Sequence, residues 1–125
     1  MRLLLDTHIF LWAVAGSARL KPATRRFIES ADQVCVSAAS IWEVAIKASL
    51  GKIDADPAAL AAAIETSGFT ELPVRAVHSA GVARLAPHHN DPFDRLLIAQ
   101  AIAEPLTFLT ADALLVRYSD LVKLV

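Results

Sequence analysis

The feature that most constrains this chain is its alternation of short apolar runs with helical patterns. Arg2 to Leu5 reads as a short buried strand that stops at Asp6. Thr7 can cap a helix running through Val14, and Gly16 punctuates its end. Lys21 to Ala31 reads as a second helix, with Pro22 near its first turn, and Gln33 to Val36 as a second buried strand. Ser37 opens a long helix through Ala48, closed by Gly51, and the Ala-rich stretch Pro57 to Ser67 is helical. Phe69 to Val74 predicts a third strand, Ala76 to Leu85 a helix, and Pro87 to Pro92 a loop. Asp91 and Pro92 start a helix to about Ala103. Leu106 to Thr110 is a fourth strand, Ala113 to Tyr118 a short helix, and Leu121 to Leu124 a last strand.

Strands apolar on both faces and separated by helices imply an α/β fold with a mainly parallel sheet covered on two sides. Such a sheet places its ligand crevice beyond the carboxyl ends of its strands. Asp6 falls at the end of the first strand and Asp112 just past the end of the fourth.

Length and composition bound the rest. A chain of 125 residues with 55% hydrophobic content suits one domain, residues 1–125, with a real core, and excludes intrinsic disorder. The single cysteine, Cys35, lies between Val34 and Val36 and reads as a small buried hydrophobe, so a reducing, cytoplasmic setting is expected. Asp6 and His8 interrupt the apolar start too early for a signal peptide, and no uncharged stretch reaches the ~20 residues of a membrane span. The net charge of −1 gives no basic excess to advertise a nucleic-acid binder.

Four acids stand out, each with a structural alternative. Asp6 follows an apolar strand, where a carboxylate needs a hydrogen bond, a partner or a metal; it is also placed to cap the next helix. Glu43 lies in Ser40-Ile41-Trp42-Glu43-Val44-Ala45-Ile46, a segment apolar almost all round, so its helix reads as largely buried. Lys47, four residues on, offers an ion pair as the alternative. Asp91, before Pro92, reads as a helix cap, with Asp94 in a capping-box position; the pattern alone leaves the role of Asp94 open. Asp112 can cap the short helix that follows it. His8, His78, His88 and His89 lack zinc-ligand spacing, and His88 and His89 read as loop residues rather than ligands. No nucleophile elbow, phosphate loop or dinucleotide fingerprint is present. Carboxylates gathered at strand ends suit a hard cation such as Mg²⁺ or Mn²⁺, which offsets their repulsion.

Four segments together resemble the motifs of PIN-domain ribonucleases. They are Leu4 to Trp12, Ser37 to Lys47 with Leu50-Gly51-Lys52, His89 to Ala101, and Leu109-Thr110-Ala111-Asp112, in that order along nearly the whole chain. The VapC-type toxins of bacterial and archaeal toxin–antitoxin pairs are the most similar group. The resemblance implies a three-layer α/β/α sandwich on a parallel sheet of four to five strands. It implies that Asp6 and Asp94 are the main metal ligands, that Asp112 completes the shell, and that Glu43 holds a water on the metal or a second ion. Thr110 would orient a nearby water, and His8 would shape the mouth of the site. The implied activity is Mg²⁺- or Mn²⁺-dependent endonucleolytic hydrolysis of RNA. The implied partners are an RNA substrate, a small cognate antitoxin and a second copy in a homodimer, with no membrane. Asn90 stands where such proteins often carry Arg, which weakens the expected phosphate contacts.

Two other classes compete. An enzyme forming an aspartyl-phosphate on Asp6 would want a second acid two residues on, where this chain has His8. A non-catalytic interaction module would leave the acids structural, and the near-neutral charge is compatible with it.

Overall fold

The computed structural model describes residues 1–125. The chain runs β1 (Arg2–Leu5), α1 (Thr7–Ala15), α2 (Pro22–Ser30), β2 (Gln33–Ser37), α3 (Ala38–Ser49), α4 (Pro57–Thr66) and β3 (Thr70–Leu72). It continues through α5 (Ala76–Gly81), a 3₁₀ turn (Val82–Arg84), α6 (Pro92–Ala103), β4 (Thr107–Thr110), a second 3₁₀ segment (Ala113–Tyr118) and β5 (Val122–Leu124).

The five strands form one sheet in the order β3-β2-β1-β4-β5, and every neighbouring pair is parallel. Leu4 of β1 pairs with Cys35 of β2 on one side and Phe108 of β4 on the other. The period of two along each strand divides the core between two faces. Leu3, Leu5, Val34, Val36 and Leu109 pack with Ile9, Phe10 and Ile28 on one face. Leu4, Cys35 and Phe108 pack with Leu97, Ile98 and Ala101 of α6 on the other. The result is an α/β/α sandwich, and Cys35 is a free, buried thiol.

The strand order decides where the site lies. The chain adds β2 and β3 to one side of β1, then returns to place β4 on its other side. The carboxyl ends of β1 and β4 therefore flank a topological switch, where adjacent connections diverge and leave a crevice.

Three expectations change in detail. β3 is the short strand Thr70–Leu72 rather than Phe69 to Val74, because Pro73 has no N–H to continue the ladder. The helix expected over Ala76 to Leu85 tightens into a 3₁₀ turn at Val82, where carbonyls are taken by the distant Arg95. Helix α3 is buried on one face only, at Ala39, Ser40, Glu43 and Val44, while Trp42 is 59% exposed. Its indole meets the edge of Phe93 with ring centroids 5.1 Å apart.

Candidate metal centre

Asp6 is the residue at which β1 gives way to α1. Its backbone N–H continues the sheet to the Leu109 carbonyl at 2.9 Å, and its own carbonyl accepts from Phe10 at 3.0 Å. It sits at the N-cap position, yet its side chain makes no capping hydrogen bond. The carboxylate is instead held by Thr110, whose hydroxyl donates to Oδ2 at 2.6 Å. Thr110 thus holds Asp6, and its oxygen also accepts from the Asp112 backbone N–H at 3.0 Å. Both residues are buried. Burial pushes the Asp6 pKa above the usual 3.8, against the lowering effect of Thr110, His8 and the Thr7 amide; nearby Glu43 adds to the rise.

Glu43 reaches the same region from the buried face of α3 and is 4% exposed. The Thr7 hydroxyl donates to its Oε1 at 2.9 Å and lies 2.8 Å from Ser40 Oγ. Lys47 donates to its Oε2 at 2.5 Å. The ion pair legible in the sequence therefore forms, and Lys47 lies at the site: its pKa is raised first by Glu43, and further by Asp91 and Asp94.

Asp91 is the cap of α6, its Oδ1 accepting from the backbone of Phe93 at 2.9 Å and Asp94 at 3.0 Å. That leaves the Asp94 carboxylate free of capping duty at the first turn of the helix. Its pKa rises from 3.8 to about 7, chiefly through desolvation, then through repulsion from Asp6 and Asp91; a hydrogen bond from His89 opposes this and Glu43 adds to it. Asp112 does cap the following 3₁₀ segment, with Oδ1 accepting from Leu114 N–H at 3.0 Å. It also joins the cluster, because one donor atom each from His89, Asp94 and Asp112 lies within 4.8 Å of the others.

Asp94 links two halves of the site, with His89 and Asp112 on one side and the charges of Asp6 and Glu43 on the other. His89, read from the sequence as a plain loop residue, lies 3.0 Å from Asp94 Oδ2 through Nε2. Nothing in local spacing revealed this, since the contact depends on how the loop before α6 folds back. His8 is exposed beside the buried Asp6.

The donor set fits a hard divalent cation. It is dominated by carboxylate oxygens, and burial first, then their mutual repulsion, raises the Asp94 pKa to about 7. A cation held among them would favour their charged forms. Asp94 and Asp112, with His89, offer donor atoms within 4.8 Å of one another, and Asp6 lies near enough for its charge to act on Asp94. Glu43 is already paired with Lys47.

The family model of the PIN domain matches residues 3–121. The chain is 35% identical over 115 residues to Ribonuclease VapC22 of Mycobacterium tuberculosis, covering 87% of this chain and 85% of that protein. The fold is similar to a chain in the crystal structure of VapBC2 from Rickettsia felis bound to a DNA fragment from their promoter. There the TM-score is 0.71 and the sequence identity 17%, with 98% of this chain and 96% of that chain covered.

Proposed function

This chain belongs to the PIN-domain family, and on that premise we propose that it is a Mg²⁺- or Mn²⁺-dependent endoribonuclease acting as the toxin of a toxin–antitoxin pair. The observation that carries the reading is that Asp94 has donor atoms of Asp112 and His89 within 4.8 Å and also feels the charges of Asp6 and Glu43, so that burial first and then like charge raise its pKa to about 7. Strongly shifted acids clustered in this way are concentrated at functional sites.

In this reading Asp6, Asp94 and Asp112 hold the cation, and Thr110 fixes Asp6 so that one carboxylate face is preset. The cation, when bound, polarises a phosphoryl oxygen and raises the acidity of water. Lys47 pairs with Glu43 and holds its orientation, and Glu43 is the carboxylate available to take a proton from the attacking water. The water's oxygen forms the new P–O bond as the bond to the departing 3′-oxygen breaks, leaving a 5′-phosphate. The attraction for RNA that a net charge of −1 does not supply comes from the cation and from Lys47.

A small antitoxin protein and a second copy of the chain are the partners of this reading, in the cytoplasm. No helix is long and apolar enough to cross a membrane. The test is expression of the chain and of its Asp6→Asn variant, scoring growth arrest and mapping RNA ends. Arrest with discrete cuts that requires Asp6 supports the reading; arrest that survives Asp6→Asn refutes it.

A further inference from the structure

Arg95 directly follows Asp94 on α6, yet its guanidinium is committed away from the acids. Nη1 donates to the carbonyls of Ala86 at 2.9 Å and His89 at 3.4 Å, and to the Tyr118 hydroxyl at 3.1 Å. Nη2 donates to the carbonyls of Val82 at 3.3 Å and Leu85 at 3.5 Å. The guanidinium carbon lies 5.8 Å from the centre of the Tyr118 ring, and the Tyr118 hydroxyl donates in turn to the His89 carbonyl at 3.2 Å. One side chain therefore gathers the backbone from Val82 to His89. A planar fork with five N–H donors can do this; a lysine ammonium, with three donors at one point, cannot.

The gathered segment ends at His89, whose Nε2 lies 3.0 Å from Asp94 Oδ2. This contact distinguishes Asp94 from the other acids. Asp6 is held by Thr110, and Glu43 by Thr7 and Lys47. Asp112 is held by the Leu114 amide. The Asp94 carboxylate has His89 as its one hydrogen-bond partner. A carboxylate ligand without a fixed orientation binds a cation more weakly, because the partner behind it sets its rotamer.

We propose that Arg95 is a positioning residue which clamps the segment Val82 to His89, and that His89, so held, donates from Nε2 to Asp94 and sets that carboxylate for the cation. Arg95 is then unavailable to RNA phosphate, although it is the arginine nearest in sequence to the acids. The inference rests on the metal-dependent reading above.

The test is Mn²⁺ affinity of the folded protein, read by electron paramagnetic resonance of the free ion, with circular dichroism as the check on folding. His89→Ala is expected to raise the Mn²⁺ Kd about 10- to 100-fold. His89→Gln keeps an N–H donor and is expected to stay within about threefold of wild type, the range in which a preserved hydrogen bond leaves binding. Arg95→Lys is expected to match His89→Ala, and the double variant to be no weaker than His89→Ala alone, since both act through one contact. If Arg95→Lys does not fold, Tyr118→Phe removes one donor to the His89 carbonyl and is expected to weaken Mn²⁺ binding in the same direction.

An unchanged Kd in His89→Ala, with wild type binding Mn²⁺ and cutting RNA, overturns this inference alone. So does a His89→Gln variant as weak as His89→Ala. A role of Arg95 in folding alone would lower Tm and leave the Kd of the folded protein at the wild-type value, which overturns the positioning role. Wild type that binds no Mn²⁺ and cuts no RNA overturns both this and the metal-dependent reading.

Discussion

Replacing Asp94 by Asn should make the cation-free protein more stable at pH 8 and should have no such effect at pH 4. The folded Asp94 pKa is raised from 3.8 to about 7 by desolvation first, then by Asp6 and Asp91. The folded state therefore holds a proton that the unfolded state releases between those two values. Stability falls as pH rises through that window, and the loss is complete above about 7. At full weight the distance from 3.8 to about 7 is worth about 4 kcal/mol. The side chain keeps 18% of its surface in solvent, whose screening reduces the expected gain to about 2–3 kcal/mol. Asn keeps the shape and the acceptor for His89 and removes the charge. For a chain of this size that gain corresponds to a Tm higher by roughly 6–12 °C. Thermal or urea unfolding in chelator at pH 4, 6 and 8 reads it directly. Added Mg²⁺ should reverse the order at pH 8, since it stabilises wild type and not the variant. A variant that is less stable than wild type at pH 8 in chelator, or whose advantage does not change with pH, refutes the electrostatic account of the site.

Three further outcomes follow from named contacts. Thr110→Val removes the donor to the buried Asp6 and should lower stability by about 1–3 kcal/mol, with activity that now requires a higher pH, as read by urea unfolding and a pH–rate profile. Lys47→Met should lower stability by about 2 kcal/mol by leaving the 4%-exposed Glu43 without its cation. Because Glu43 raises the Lys47 pKa from 10.5, that loss should be constant across pH 6–9, and the difference should fade only at higher pH. Phe108→Ala, deep in the face of the sheet covered by α6, should destabilise by about 3–5 kcal/mol in chemical denaturation.

Much of the fold was legible because the signals are local. β1 announces itself by apolar residues that end at a carboxylate, and α6 by the Asp91-Pro92 start whose cap bonds form. The strand order was not legible, since nothing local states that β4 returns beside β1; that return brings Asp6 and Thr110 into contact across 104 residues. A segment apolar almost all round suggested a largely buried helix α3, but its hydrophobic residues exceed what one face can cover, and Trp42 remains outside. The break at Val82 and the approach of His89 share one cause in the five acceptors gathered by Arg95. A long side chain meeting distant carbonyls leaves no periodic trace. For Asp6, sequence position could not separate cap from ligand; in the structure its buried side chain makes no capping bond and is held by Thr110 instead.

The central claim is that four acids make one cation site that cuts RNA. It is tested most directly by counting new 5′-phosphate ends when the purified chain meets RNA with Mg²⁺ or Mn²⁺, with chelator, and with Asp6→Asn. The account predicts discrete ends with the cation and a fall of at least about 100-fold with chelator or with Asp6→Asn, the scale on which a cation's contribution to phosphoryl chemistry is felt. Cleavage that persists in chelator, or that Asp6→Asn leaves intact, contradicts it.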